Sequence, residues 1–262
     1  MLFGIGKPDV PPDEVIDWLF EAFEWLLRET GGWKPFSAAR LVLPTPEFFP
    51  IAGEGEQLAE GLLLQVKVHA GMQAWPVTLE THDDAPTHEE AFGRIAHDGS
   101  SDRGAAGTFR GHGGGGLRNV ITYSPRLLGE PENLVATLAH EIGHYLLSTA
   151  KTAPPGGWDW EEQATDACAV FLGFGVFLAN SAFSFSQYTD GKWIGWRSSR
   201  LGYLNQHTLA YALGLFLRLR RLDPKPALKH LSTNSRSYLK HALVDLDRRQ
   251  ATRLAALRPL PS

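Results

Sequence analysis

His140, Glu141 and His144 stand in the order H-E-x-x-H within the stretch LVATLAHEIGHYLLSTA, from Leu134 to Ala150. At 3.6 residues per turn, positions four apart project from one helix face, so both imidazoles can reach a single metal ion. Glu141 lies beside His140 and can reach a water on that ion without being a ligand. The competing reading is a buried helix whose histidines are hydrogen-bonded core residues. Gly143 is a poor helix former, costing ~1 kcal/mol against alanine. A residue that small permits close approach of another backbone, and tolerated packing explains it equally well.

A hydrolytic metal site needs a third protein ligand and one open position for water. The segment EEQATDACA supplies acidic candidates on the next helix. Glu162 and Asp166 are four apart and share a face. With Glu162 as the third ligand, Asp166 lies one turn away and can accept a hydrogen bond from the far nitrogen of a ligating histidine, fixing its tautomer. Two alternatives stay open: Asp166 as the ligand with Glu162 behind it, or Glu161, whose side chain points about 100° away around the helix.

Together His140, Glu141, His144, Glu162 and Asp166 resemble the gluzincin branch of the zincin metallopeptidases, whose pattern is H-E-x-x-H followed by a helix carrying E-x-x-x-D. The resemblance spans about Arg118 to Ala179. It implies one zinc ion, a peptide or protein substrate, and an α+β zincin-like fold. In that fold a small mixed sheet precedes the H-E-x-x-H helix, the ligand helix and a C-terminal helical extension. It also implies that the strand RNVITYS borders the cleft and pairs with an extended peptide. ATDACAVFLGFGVFLANS and GYLNQHTLAYAL further resemble blocks of uncharacterised bacterial proteins. Zinc brings the pKa of a bound water to ~7. Glu141 would then take the proton and hand it to the leaving nitrogen. Gluzincins add an oxyanion donor, usually Tyr, His or Arg; here Tyr203, His207 and Tyr211 are available, with His207 preferred. The competing function is a zincin-fold protein with a structural metal, acting as a binding or regulatory module. Hydrolysis of a non-peptide amide is a third reading.

These side chains need elements to hold them. Apolar spacing predicts helices over Asp13 to Thr30, over GEQLAEGLLLQVKVHAGM, over Glu130 to Leu147 with Pro131 in its first turn, from near Trp160 towards Ala179, and from Leu204 to Leu222. Two shorter helices are expected from Ala227 and about Ser235. ARLVLPTPEFFP and WPVTLET read as strands. GTFRGHGGGGLRNVITYS reads as two strands joined by a glycine tract, and Asp83 to Gly104 as loop. Strands early and helices late indicate α+β rather than alternating α/β. We expect a zincin-like domain over 1–222, with lobes 1–117 and 118–222, and a helical extension over 223–262 packed on it.

Composition narrows the classes. The chain has 262 residues, 43% hydrophobic, with net charge −4 and pI near 6.2. That size supports a substantial core, and the acidic balance argues against nucleic acid as a partner. Arg218, Arg220 and Arg221 sit at a helix end, where cations favour the dipole. Cys168 is the single cysteine, so no internal disulfide and no cysteine-based zinc cluster can form, and nothing sets it beside a base. Ala167 to Phe185 is apolar but short, glycine-containing and preceded by EEQATD, which suits a buried core helix over a membrane span. The start of the chain lacks a secretory pattern, so a cytoplasmic location is expected. GHGGGG, Gly111 to Gly116, lacks the G-K-[ST] of a phosphate loop; His112 within it is a minor candidate for a resting-state ligand. His69, His82, His88, His97, His230 and His241 are scattered singly and read as surface or structural.

Overall fold

The computed structural model describes residues 9–81, 107–110, 119–188 and 204–259. In chain order these form α1 (Asp13–Glu29), α2 (Trp33–Ala38), α3 (Gly55–His69), β1 (Thr78–Thr81), β2 (Gly107–Arg110), β3 (Val120–Tyr123), α4 (Pro131–Leu147), α5 (Glu161–Ala169), α6 (Gly175–Tyr188), α7 (Gln206–Leu219), α8 (Lys225–His230), α9 (Thr233–Arg248) and α10 (Ala251–Leu257). The molecule is mostly helical with a small sheet, an α+β arrangement. Its strands run in the spatial order β1-β3-β2, with β1 parallel and β2 antiparallel to β3.

That order corrects one expectation. β3 was to border a cleft and pair with an incoming peptide, yet it is the central strand. Thr78 to Thr81 occupy one side of it and Gly107 to Arg110 the other. An extended chain cannot add to a strand with both edges taken. The segment ARLVLPTPEFFP is also not a strand. Its prolines leave few ladder donors, and it is held instead by separate bonds: Val42 N to Gly173 O at 3.0 Å, the Arg220 guanidinium to Ala39 O at 2.9 Å, and His69 to Phe48 O at 2.8 Å.

α4 is the axis of the fold. Leu134, Val135, Leu138, Ala139, Ile142 and Leu147 are all buried, so apolar contact surrounds the helix rather than marking one stripe. The sheet lies against it through β2 and β3, while α3, α5 and α6 pack on other sides. Tyr145 pins it to the strand entries: its hydroxyl donates to Pro76 O at 3.2 Å, it bonds Asn119 Nδ2, and its ring meets Trp75 edge-on. At the other end Ser181 Oγ donates to Asn133 Oδ1 at 2.7 Å, tying α4 to α6.

The predicted long helix from Trp160 is interrupted. α5 passes through one wide turn, Val170–Phe174, before α6 begins. The cause is Gly173, whose φ is 104°. A Cβ there would lie 2.0 Å from Arg40 O, so glycine alone permits the chain after α2 to cross this point. The run Trp158–Ala182 is long and apolar enough to cross a membrane, but 94% of its most apolar 18-residue stretch is buried inside the molecule, as a core helix would be.

The C-terminal helices are fuller than expected: α9 spans 16 residues, and α10 follows it. Leu239, Ala242 and Leu246 of α9 close on α7 at Gly214. Arg249 joins buried Asp245 to Asp13 of α1, at 2.9 and 2.7 Å, and Arg253 reaches Asp17 at 2.6 Å. The extension therefore shares the core of the rest.

Candidate metal centre

α4 and α5 approach closely because Gly143 has no side chain. A Cβ there would meet Thr165 Cγ2 at 3.0 Å and Thr165 O at 3.1 Å. That contact brings the acidic face of α5 onto the histidine face of α4. Ligand atoms of His140, His144 and Glu162 all lie within 4.8 Å of one another. Glu162 Oε2 is 3.2 Å from His140 Nε2 and 3.5 Å from His144 Nε2. The two rings stand nearly perpendicular with centroids 4.7 Å apart. This group of two imidazoles and a carboxylate could hold a metal ion.

The far nitrogens are occupied separately. His140 Nδ1 donates to Asp166 Oδ1 at 2.9 Å, and Asp166 Oδ2 accepts from Leu204 N at 2.7 Å. Asp166 therefore supports the His140 ring and does not enter the three-atom cluster. His144 Nδ1 lies 3.3 Å from Thr165 Oγ1 and 3.6 Å from Glu161 Oε1. With a proton held on each Nδ1, the two Nε2 atoms facing Glu162 are the ones a metal would bind, displacing the protons that they share with its carboxylate.

Burial is graded across the site. His140, Glu141, Thr165 and Asp166 are buried, whereas Glu162 keeps about a third of its side chain exposed, at 32%. Solvent thus reaches the cluster from the Glu162 side. Burial opposes charge on His140, but the Asp166 and Glu162 carboxylates outweigh it and hold the imidazole well above its ordinary value. Burial likewise opposes charge on His144, and Glu161 and Glu162 raise it to about 9. For Glu162, burial works upward, yet the two histidines carry it well below the usual carboxylate range. The buried acidic set thus demands positive charge, which a divalent cation would supply in place of protons.

Other expected residues fall elsewhere. His207 Nε2 is 3.0 Å from Asp9 O, and its ring packs on Tyr238 at 4.6 Å; it is not part of the three-residue cluster. Tyr211 is fully buried and donates to Asp245 Oδ2 at 2.8 Å, so its hydroxyl is committed to joining α7 and α9. Tyr203, His112, the GHGGGG tract, His82, His88, His97 and the loop from Asp83 to Gly104 lie outside the described residues. Cys168 is buried, and burial pushes its thiol up to about 12, which removes it as a nucleophile. His69 bonds Phe48 O at 2.8 Å between Phe48 and Phe49, a structural role.

Sequence reasoning missed two contributors. Thr165 shares a helix face with Glu161 and Glu162, and that spacing was the available signal. The Leu204 N–H carries no residue type, so no pattern could have shown it.

Comparison of the chain with family models, with curated proteins and with solved structures returns no match.

Proposed function

We propose that the protein is a zinc-dependent metallohydrolase of the gluzincin kind, acting on peptide bonds, with His140, His144 and Glu162 as the zinc ligands. The observation that carries this reading is the convergence of their donor atoms within 4.8 Å, with Asp166 behind His140. Two imidazoles and a carboxylate are the donor set of open catalytic zinc sites, which leave a fourth position for water. Zinc in such a site supplies a Lewis acid and water of pKa ~7.

The chain's own residues provide the rest. Glu141 is buried beside His140, and its charge helps to raise both histidines. In this reading Glu141 accepts a proton during attack and returns it to the leaving nitrogen. A structural metal has no use for such a base. With Nε2 on the metal, His140 and His144 would keep their Nδ1 protons, against Asp166 and Thr165, away from the chemistry. His207 is engaged by Asp9 and Tyr238. The buried apolar run and single unpaired cysteine support a cytoplasmic protein.

The experiment is hydrolysis of an unstructured protein by the zinc-loaded wild type and the Glu141→Gln variant. The variant should retain one zinc per chain and lose activity by at least ~10²-fold, the scale of a lost general base. Equal activity in the two proteins would exclude Glu141 from that role.

A further inference from the structure

We propose that Thr165 is the positioning residue for His144, fixing its tautomer so that Nε2 is presented to the metal; the inference rests on the metal-site reading above. Thr165 is fully buried in α5, and its hydroxyl donates to Glu161 O at 2.8 Å. A hydroxyl has one proton and two lone pairs. With that proton committed, Oγ1 can only accept from His144 Nδ1, 3.3 Å away. Nδ1 therefore keeps its hydrogen, and Nε2, 3.5 Å from Glu162 Oε2, is the nitrogen left to bind a metal once its own proton is displaced.

Glu161 is the rival for this role. Its carboxylate oxygen is 3.6 Å from the same nitrogen, beyond hydrogen-bond length, and its side chain is 48% exposed. Thr165 is nearer, shielded from water and held from two directions. Its methyl sits against Gly143, where a Cβ would meet it at 3.0 Å. The methyl thus sets the spacing of the two helices while the hydroxyl orients the ring. Asp166 serves His140 with a charged acceptor; Thr165 serves His144 with a neutral one. The neutral acceptor adds no negative charge to a pocket that already holds Glu141, Glu162 and Asp166.

The test separates the methyl from the hydroxyl. Zn²⁺ affinity is measured by competition with a chromophoric chelator for wild type, Thr165→Val and Thr165→Ser. The Nδ1–H resonance of His144 is followed by NMR in each zinc-loaded protein. Valine keeps the methyl and should weaken zinc binding about tenfold or more, the usual effect of losing a ligand's supporting partner, with loss of the protected Nδ1–H signal. Serine keeps the hydroxyl and should stay within about threefold of wild type with the signal intact. Wild-type affinity in the valine variant, or equal weakening in both variants, overturns the assignment. Should the valine variant fail to fold, the Nδ1–H signal in wild type and serine variant decides, its absence overturning the assignment. A wild type that binds no zinc contradicts the metal-site reading itself, a result distinct from either.

Discussion

At the scale of single residues, protonation is the sharpest property of the site. His144 is raised to about 9 and His140 well above its ordinary value, so the metal-free protein carries extra protons at neutral pH. Metal binding needs neutral imidazoles and must expel them. We predict release of at least one proton per metal bound at pH 7, with apparent affinity rising with pH through about 9, where His144 gives up its proton. Calorimetric titration in buffers of different ionisation enthalpy measures this; binding without proton release would contradict it. The sign for stability follows from the same shifts. A histidine raised in the folded state stabilises fully below its unfolded pKa of ~6.5, and that contribution is lost as pH climbs through the folded value. The metal-free protein should therefore melt at lower temperature at pH 9 than at pH 6.5.

At the scale of elements, the site depends on how closely α5 lies on α4. Gly143 shows which effect decides. Alanine would gain ~1 kcal/mol of helix propensity. Its Cβ, however, would press on the Thr165 carbonyl at 3.1 Å, part of the backbone of a buried helix. Overpacking of that kind costs ~1–3 kcal/mol, so the strain wins or at best cancels. We predict that Gly143→Ala leaves stability unchanged or lowers it by up to ~2 kcal/mol, the difference of those two terms. It should also weaken metal binding by moving Glu162 away from both rings. Denaturant melts and chelator competition report the two effects. A variant more stable than wild type, with unchanged affinity, would remove the glycine from this account.

At the scale of the whole molecule, the residue pattern foretold some levels better than others. The fourfold spacing of His140 with His144, and of Glu162 with Asp166, is a property of helices alone, so it survives into the fold. The extents of α1, α3 and α4 were legible because apolar periodicity and proline or glycine punctuation agree there. Sheet order was not legible, since β3 becomes central only when distant β1 and β2 add to it. The break at Gly173 was hidden for a similar reason: its cause, Arg40 O, lies more than a hundred residues away in sequence. The role of Tyr211 depended on Asp245, a partner supplied by a later helix. Local periodicity therefore gave the donor pairs, and tertiary contact decided what supports them.

Zinc binding at this site requires three donors to meet at one point. Zinc bound per chain, measured after dialysis against limiting metal for wild type and Glu162→Ala, tests it most directly. We predict one zinc in the wild type and essentially none in the variant under the same conditions, with both proteins folded. Equal zinc in the two, or none in the wild type, would contradict the central claim.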